Sequence, residues 1–491
     1  MNYKITVMLL GMLSCSTLSH ADALAQKRIM VIIPSFNNAT SYQSNLLSVI
    51  NQEYENYHII YIDDASPDGT GKLVQQFIVD YNIADRVTFI GNQYNRKALA
   101  NMYKAFQYCD PNDIILELDG DDALASNQLL KNINELFSTQ DVWLAYAQYK
   151  NVPEHMAKEN KISILGYTKP TPPELIASRE FRTKWFWSGL RMYYAWLVKE
   201  VKLEDLLLPT APYNGKFFPT SKDGALVYPM LEMAGPRIKH IPDVWLLRNI
   251  DTPLNDYKIA RDLQLHCGKT LKESPHYDLL DNPVVASFDE QHQADLLIFA
   301  DHCNQNELSD FISSCYAHAH GLENIYILHS QNSHDYASLR RTFPELIFLE
   351  VPDGHNVSSI VSQALRTMNN HVILSDGNSP LNKNVDLGAC IKILDSTHAY
   401  GFYFQEHLSS FGDATQPWAL PCEQIIDDIY AWKFNCFTPA DFTINNIGMT
   451  LYRTADIQQA LTQMEANSID DIEMQWKQIR VSSRKIGLFE G

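Results

Sequence analysis

The sequence predicts an α/β protein in which a doubly wound, mainly parallel sheet is followed by a second, related α/β domain. Three observations carry that prediction. From Arg28 onward, short β-rich apolar runs alternate with amphipathic helical stretches. Clusters of polar residues fall at the carboxyl ends of those runs, where open parallel sheets bind their ligands. The second half of the chain also repeats the pattern of the first.

Taken in order, Ile29-Ile33 reads as a buried strand ending at Pro34, and Ser41-Gln52 as a helix with Leu46, Leu47 and Ile50 on one face. His58-Ile62 is a second strand, Gly71-Tyr81 a helix, Arg86-Ile90 a strand, Ala98-Tyr108 a helix and Ile114-Leu118 a strand. Apolar runs of this length separated by helices are the mark of a sheet covered on both faces. Three polar clusters, Ser35-Asn38, Asp63-Asp68 and Asp119-Asp122, then converge on one edge.

The chain has 491 residues, enough for two or three domains, and its 45% apolar and 20% charged residues are those of globular protein. A net charge of −19 argues against a nucleic-acid binder, because phosphate binding needs a basic face. Residues 1–23 combine Lys4, the apolar run Ile5-Leu13 and small-residue triplets around Ala21, which predicts a signal peptide or short anchor. A secretory, periplasmic or membrane-associated location is the expectation that follows. The 8 cysteines lack regular spacing, and losing Cys15 with the leader leaves an odd number (8 − 1 = 7), so no disulfide scaffold is expected.

The stretch ILELDGDDAL places Asp119, Asp121 and Asp122 at the tip of a buried strand. Like charges this close repel, and a D-x-D spacing suits a hard divalent cation that also bridges substrate phosphates. Asp64, at the neighbouring strand end, can accept hydrogen bonds from a base or ribose. The plainer explanation is turns and caps: Asp63-Asp68 as a turn, and Asp122 or Ser126 capping the next helix. Both clusters at the right strand ends, in this order, favour function.

These residues carry a resemblance. VIIPSFNNATSYQSNLLSVINQEYENYHIIYIDDASPDGT resembles the opening of family 2-type glycosyltransferases with the GT-A fold, NRKALANMYKAF resembles their next loop and helix, and ILELDGDDAL their metal-binding D-x-D strand. The match is good over about Ile29-Leu124, although the glycine usual in the NRKALAN region is missing. The resemblance implies that Pro34, Ser35 and Asn37 line a nucleotide pocket, that Asp64 contacts the uracil or ribose with Asp63 in support, and that Arg96 or Lys97 faces the diphosphate. It further implies that Asp119 and Asp121 hold Mn2+ or Mg2+, with Gly120 between them at the nucleotide-sugar.

Inverting transfer needs a general base for the acceptor hydroxyl. Family members usually supply an acid after the D-x-D, often in an E-D pair opening a helix. The matching stretch here is SKDGALVYPMLEMAGPRIKHIPDVWLLRN, so Asp223 is the candidate base, and Lys222 stands where the pattern has an acid. The plainer role is a helix cap by Ser221 or Asp223. Between them, REFRTKWFWSGLRMYYAWLVKE is dense in Trp and Tyr, and reads as a helix packing its aromatic stripe on the core with one or two rings at an acceptor groove.

An offset of 257 residues (376 − 119) lays Asp376-Gly377 on Asp119-Gly120, Tyr403 on Tyr146 and Gln405 on Gln148. In this copy Asp63-Asp64 has become His329-Ser330 and DGDD has become DGNS, so the charge that would hold a cation has largely gone. His302, Cys303, Cys315, His318 and His320 match no familiar zinc spacing, and a structural role is expected.

The expected organisation is a leader at 1–23, a catalytic GT-A domain at 27–255, a linker at 256–293 and a degenerate GT-A-like domain at 294–491. The expected function is a metal-dependent, inverting glycosyltransferase that moves a sugar from a nucleotide-sugar donor, UDP-linked by the family's habit, to a hydroxyl of a glycan, lipid or protein. The alternative is a non-catalytic carbohydrate-binding protein derived from such an enzyme.

Overall fold

The computed structural model describes residues 24–210, 213, 215–251, 260–284, 292–301, 303–331, 336–378, 380–404, 422–426, 428–434, 447–479, 481 and 485–490. The expected leader and His302 lie outside them. Among the described residues no helix is long and apolar enough to cross a membrane.

The first sheet is built from β1 (Ile29–Ser35), β2 (Tyr57–Asp63), β3 (Val87–Gly91), β4 (Ile114–Glu117), β5 (Ala123–Leu124), β6 (Leu144–Val152), β7 (Leu190–Tyr194) and β8 (Ile238–Asn249), in the order β3-β2-β1-β4-β7-β6-β8-β5. All seven residues of β1 are buried, as a strand covered on both faces requires. Each Ile or Val so buried contributes roughly 1.5–3 kcal/mol. β1 runs parallel to β2 and β4, so Ser35, Asp63 and the residues after Glu117 arrive at one edge.

The aromatic segment departs from the helical expectation. Its centre is β7, antiparallel to β4 and β6, flanked by short helical turns. Trp187, Tyr193 and Trp196 are core residues, while Trp185 is only partly buried. A strand forms because alternate residues Leu190, Met192 and Tyr194 pack on one face of the sheet and Arg191 and Tyr193 on the other.

Within the expected linker, residues Arg261–Glu273 form a helix that packs on the helix Lys222–Ala234. A buried ion pair secures this joint. Arg182 donates to both carboxylate oxygens of Glu232 (2.6 and 2.8 Å) and to the carbonyls of Leu271, Ser274 and Pro275.

The second sheet comprises β9 (Ala294–Phe299), β11 (Leu322–Ser330), β12 (Ile347–Val351), β13 (His371–Ser375), β15 (Gly401–Tyr403), β16 (Cys422–Ile426), β17 (Ile429–Lys433), β18 (Thr450–Arg453) and β19 (Ile486–Glu490); β10 (Ala319–His320) and β14 (Val385–Asp386) pair separately. Its order is β12-β11-β9-β13-β18-β15-β19-β17-β16, and the first seven strands repeat the first seven of the other sheet. β18 lies antiparallel between β13 and β15, as β7 does between β4 and β6, and β15 runs parallel to β19, as β6 does to β8. The 257-residue offset (376 − 119) is therefore a repeat of topology as well as of sequence.

In this copy residues at the corresponding strand ends pack on one another. A Cβ added to Gly377 would meet the Cys303 sulfur at 2.9 Å, and that thiol donates to the Asp376 carbonyl. The His329 ring packs against Tyr336 and Phe348. The six described cysteines are free and buried, and no zinc-like cluster occurs among the described residues.

The two sheets share one apolar cluster, which runs from Met30 through Phe217 to Leu488. Polar contacts add to it. Lys433 donates to the carbonyls of Glu204 (2.6 Å) and Leu207 (3.1 Å), and Glu423 pairs with Arg96 at 2.8 Å.

Candidate active site

The three polar clusters meet as expected at the edge of the first sheet, and hydrogen bonds fix each of them. The DGDD turn is braced by Asn45, whose amide donates to the carbonyls of Asp119 (3.0 Å) and Asp122 (2.8 Å). Gly120 lies so close to the β1 end that an added Cβ would stand 2.7 Å from Ser35 and Asn38. Ser35 is buried, and its hydroxyl accepts from Tyr61 and Asn38. The Asp68 carboxylate accepts from the Thr70 hydroxyl and the Ala39 N–H, so the turn explanation holds for that acid.

Asp64 is buried and organises the loop that carries Arg96 and Lys97. Its Oδ1 accepts from Asn92 (2.9 Å) and the Arg96 N–H (2.7 Å), and its Oδ2 from the Lys97 N–H (2.9 Å). Lys97 stands at φ 72°, the left-handed region that favours glycine. The loop thus keeps a glycine-like conformation without the glycine, and the bond to Asp64 helps to offset the strain.

Arg96 departs from expectation. Its buried guanidinium turns to the second sheet, bonding Glu423 and the Gln424 carbonyl, and does not line the cavity at the edge of the first sheet. A charge near a phosphate edge signalled a phosphate contact; its partner lies 423 − 96 = 327 residues away, beyond any local reading. Lys97 does line the cavity.

Two cavities meet here. One, of about 370 Å3, is walled by Pro34, Ser35, Asp64, Lys97, Asp119 and Asp121. Asn37 adjoins it, with its backbone N–H on the Ser66 hydroxyl, but does not line it. The other, of about 660 Å3, is walled by Tyr149, Tyr167, Trp185, Tyr228 and Lys272. Asp119, Ser221, Asp223, Arg248 and Gln264 line both. Among the described residues, two polar atoms of residues that line the smaller cavity are buried without a partner, Asn95 Oδ1 and Thr220 Oγ1. Such atoms are costly unless a ligand or water completes them.

Asp223 opens the helix Lys222–Ala234, and neither it nor Ser221 caps that helix by a side-chain bond. Its Oδ1 accepts from Arg191 at 2.6 Å, and its side chain is 46% exposed. Arg191 is 6% exposed and also holds Glu117, itself 4% exposed, at 2.8 Å. Burial alone would lower the Arg191 pKa, but Asp223 and Glu117 push it up. The aromatic density of the segment concealed this arginine from sequence reading; an Arg alternating with core residues in a strand was the available signal.

The acid cluster has the electrostatics of a cation site. Burial, then the charges of Asp121 and Asp119, push Asp122 well up, although its Oδ1 accepts from the Asn249 N–H. It caps no helix. Enclosure and the Asp119 charge push Asp121 up to about 6. Enclosure works against the charge of Asp119 too, but Lys222, with Arg191 and Arg248, holds its carboxyl below the usual range. Burial raises Asp63, while Ser66 pulls it back. Among the described residues no three His, Cys, Asp or Glu side chains converge in metal-holding geometry. Two carboxylates that face one cavity and repel each other nevertheless fit a divalent ion that takes its other oxygens from substrate and water.

Residues 30–206 match the glycosyl transferase family 2 model. EpsE of Bacillus subtilis is 29% identical over 106 residues, 22% of this chain and 37% of that protein. The UDP-Glc:α-D-GlcNAc-diphosphoundecaprenol β-1,3-glucosyltransferase WfgD of Escherichia coli is 26% identical over 138 residues, 28% of this chain and 49% of that protein. The chain thus spans less than half the length of these relatives. Among solved structures, the mannosyltransferase PcManGT of Pyrobaculum calidifontis in complex with GDP-Man and Mn2+ aligns at 17% identity and a TM-score of 0.36, covering 51% of this chain and 66% of that one. TarS 1–349 of S. aureus in complex with UDP-GlcNAc aligns at 16% and 0.35, covering 50% and 71%. Over residues 30–206, which are 177 of its 491 residues (206 − 30 + 1 = 177), the chain is thus similar to glycosyltransferase family 2.

Proposed function

We propose that the chain is a metal-dependent, inverting glycosyltransferase whose donor nucleotide-sugar occupies the 370 Å3 cavity and whose acceptor occupies the 660 Å3 one. The observation that carries the reading is the wall the two cavities share, with Asp119 and Asp223 on it. A sugar carbon at that wall is open to a hydroxyl from one side and to a departing diphosphate from the other.

The unpartnered Oδ1 of Asn95, on the cavity wall, is an acceptor for base or ribose donors on the nucleotide. Asp119 and Asp121 would hold Mn2+ or Mg2+, which when bound neutralises charge on the diphosphate. Arg191 fixes Oδ1 of Asp223, so the acceptor proton passes to Oδ2 as the new glycosidic bond forms and the bond to diphosphate breaks. The rings of Trp185, Tyr149 and Tyr228 offer apolar faces to an acceptor sugar. A UDP-linked donor is supported by the E. coli relative, whose name specifies UDP-Glc.

The test is a calorimetric screen of nucleotide sugars with and without Mn2+, followed by transfer assays on Asp223→Asn. Donor binding that Mn2+ tightens and that survives Asp223→Asn while transfer is lost supports the reading. A chain that binds no donor under either condition is better read as the carbohydrate-binding alternative.

A further inference from the structure

Lys222 stands where the family pattern carries an acid, and its position makes little sense as helix design. It is the first residue of the helix Lys222–Ala234, where the backbone dipole disfavours a cation. Ser221 before it takes φ 64°, an unfavourable value for a residue with a Cβ. The product of these two unfavourable choices is an ammonium aimed at the acid cluster. Lys222 Nζ lies 2.8 Å from Asp119 Oδ1 and 3.8 Å from Glu117 Oε2, and the side chain is 11% exposed. It also lines the smaller cavity, beside Asp121.

We infer that Lys222 is a resident cation of the donor site, which binds the donor diphosphate directly and competes with the divalent ion for Asp119. This rests on the reading of that cavity as a nucleoside-diphosphate site. With the cavity empty, the ammonium neutralises Asp119. When a diphosphate enters, its oxygens lie within reach of the same three-donor group, and a divalent ion gains Asp119 only as Lys222 gives it up. Two consequences separate Lys222 from a merely structural lysine: nucleoside diphosphate binds without any metal, and metal binds more tightly without the lysine.

The test uses the full chain and two probes: Mn2+ alone, followed by electron paramagnetic resonance, and UDP or GDP in EDTA, followed by calorimetry. Lys222→Met is expected to weaken diphosphate binding in EDTA by about tenfold or more, the loss of one charge-assisted contact. The same variant is expected to tighten Mn2+ by a similar factor. Lys222→Arg keeps the charge, should retain diphosphate binding, and serves if the Met variant folds poorly. Wild-type chain that binds UDP or GDP only with Mn2+, at an affinity Lys222→Met leaves unchanged, overturns the inference but not the donor site. Failure of the wild type to bind either nucleotide, with or without Mn2+, overturns both.

Discussion

Arg191→Met separates the stability of the acid network from its chemistry. Arg191 faces Glu117 in register across β7 and β4, and Glu117 also accepts from the Tyr193 hydroxyl at 2.7 Å. Without the arginine, a carboxylate 4% exposed is left with Lys222, at 3.8 Å, as its nearest cation. Breaking a buried pair from one side costs about 3–5 kcal/mol. The other arm of Arg191 reaches Asp223, whose side chain is 46% exposed, and a pair so hydrated is worth only about 0–1 kcal/mol. Arg191→Met is therefore expected to lower the melting temperature by roughly 6–20 °C, and Asp223→Asn by only a few degrees, at about 2–4 °C per kcal/mol for a domain of this size. Both should lose sugar transfer, the first because Oδ1 of Asp223 is no longer held. Glu117→Gln combined with Arg191→Met should recover more than half of the lost stability, since no charge remains buried and the amide oxygen still accepts from Tyr193. Differential scanning fluorimetry on the wild type, the two single variants and the double variant reads these shifts. Equal shifts for Arg191→Met and Asp223→Asn, or no recovery in the double variant, would refute the division of energy between the two arms.

Three further outcomes follow from the geometry. Asp121 rises from 3.8 to about 6 in the metal-free chain, so between those values the folded state holds a proton the unfolded state has shed, and this contribution to stability is lost as pH rises through about 6. Mn2+ must displace that proton, so its affinity should rise between about pH 5 and 7 by up to tenfold per unit; a flat titration across that range contradicts the assignment. Glu423→Ala leaves the Arg96 guanidinium short of its charge partner, which should cost about 1–3 kcal/mol and weaken UDP binding by loosening the loop bonded to Asp64; unchanged UDP affinity would show that the second domain does not support the donor loop. Gly120→Ala forces a methyl to within 2.7 Å of Ser35 and Asn38, which should cost about 1–3 kcal/mol and reduce donor affinity, both readable by thermal shift with and without UDP.

Much of the first sheet was legible because its strands are continuous apolar runs and its polar residues cluster at their ends. β1, expected at Ile29-Ile33, spans Ile29–Ser35, and β2, expected at His58-Ile62, spans Tyr57–Asp63. The repeat was legible for the same reason. What the pattern did not reveal are partners distant in sequence. The aromatic segment read as a helix because Trp and Tyr crowd it, yet a tertiary pairing of β7 between β4 and β6 decides its state. Arg96 carried the right charge at the right edge, but Glu423 holds it elsewhere. Lys97 shows the converse, since a missing glycine cast doubt on a loop that Asp64 holds in shape. Residue types at strand ends located the site, whereas the identities of the ion pairs within it depended on packing.

The second sheet has lost its own acids, but its edge strand grips the loop that Asp64 shapes, and Lys433 ties off the turn at Glu204 and Leu207. Cutting the chain before Ala294 would expose apolar surface now shared with Leu488 and would strand Arg96, so the first sheet leans on the second for its packing. Substitutions around Cys422-Ile426, far in sequence from the first sheet, are then expected to reach the proposed donor site, because Glu423 and Gln424 hold the arginine of the loop that Asp64 shapes.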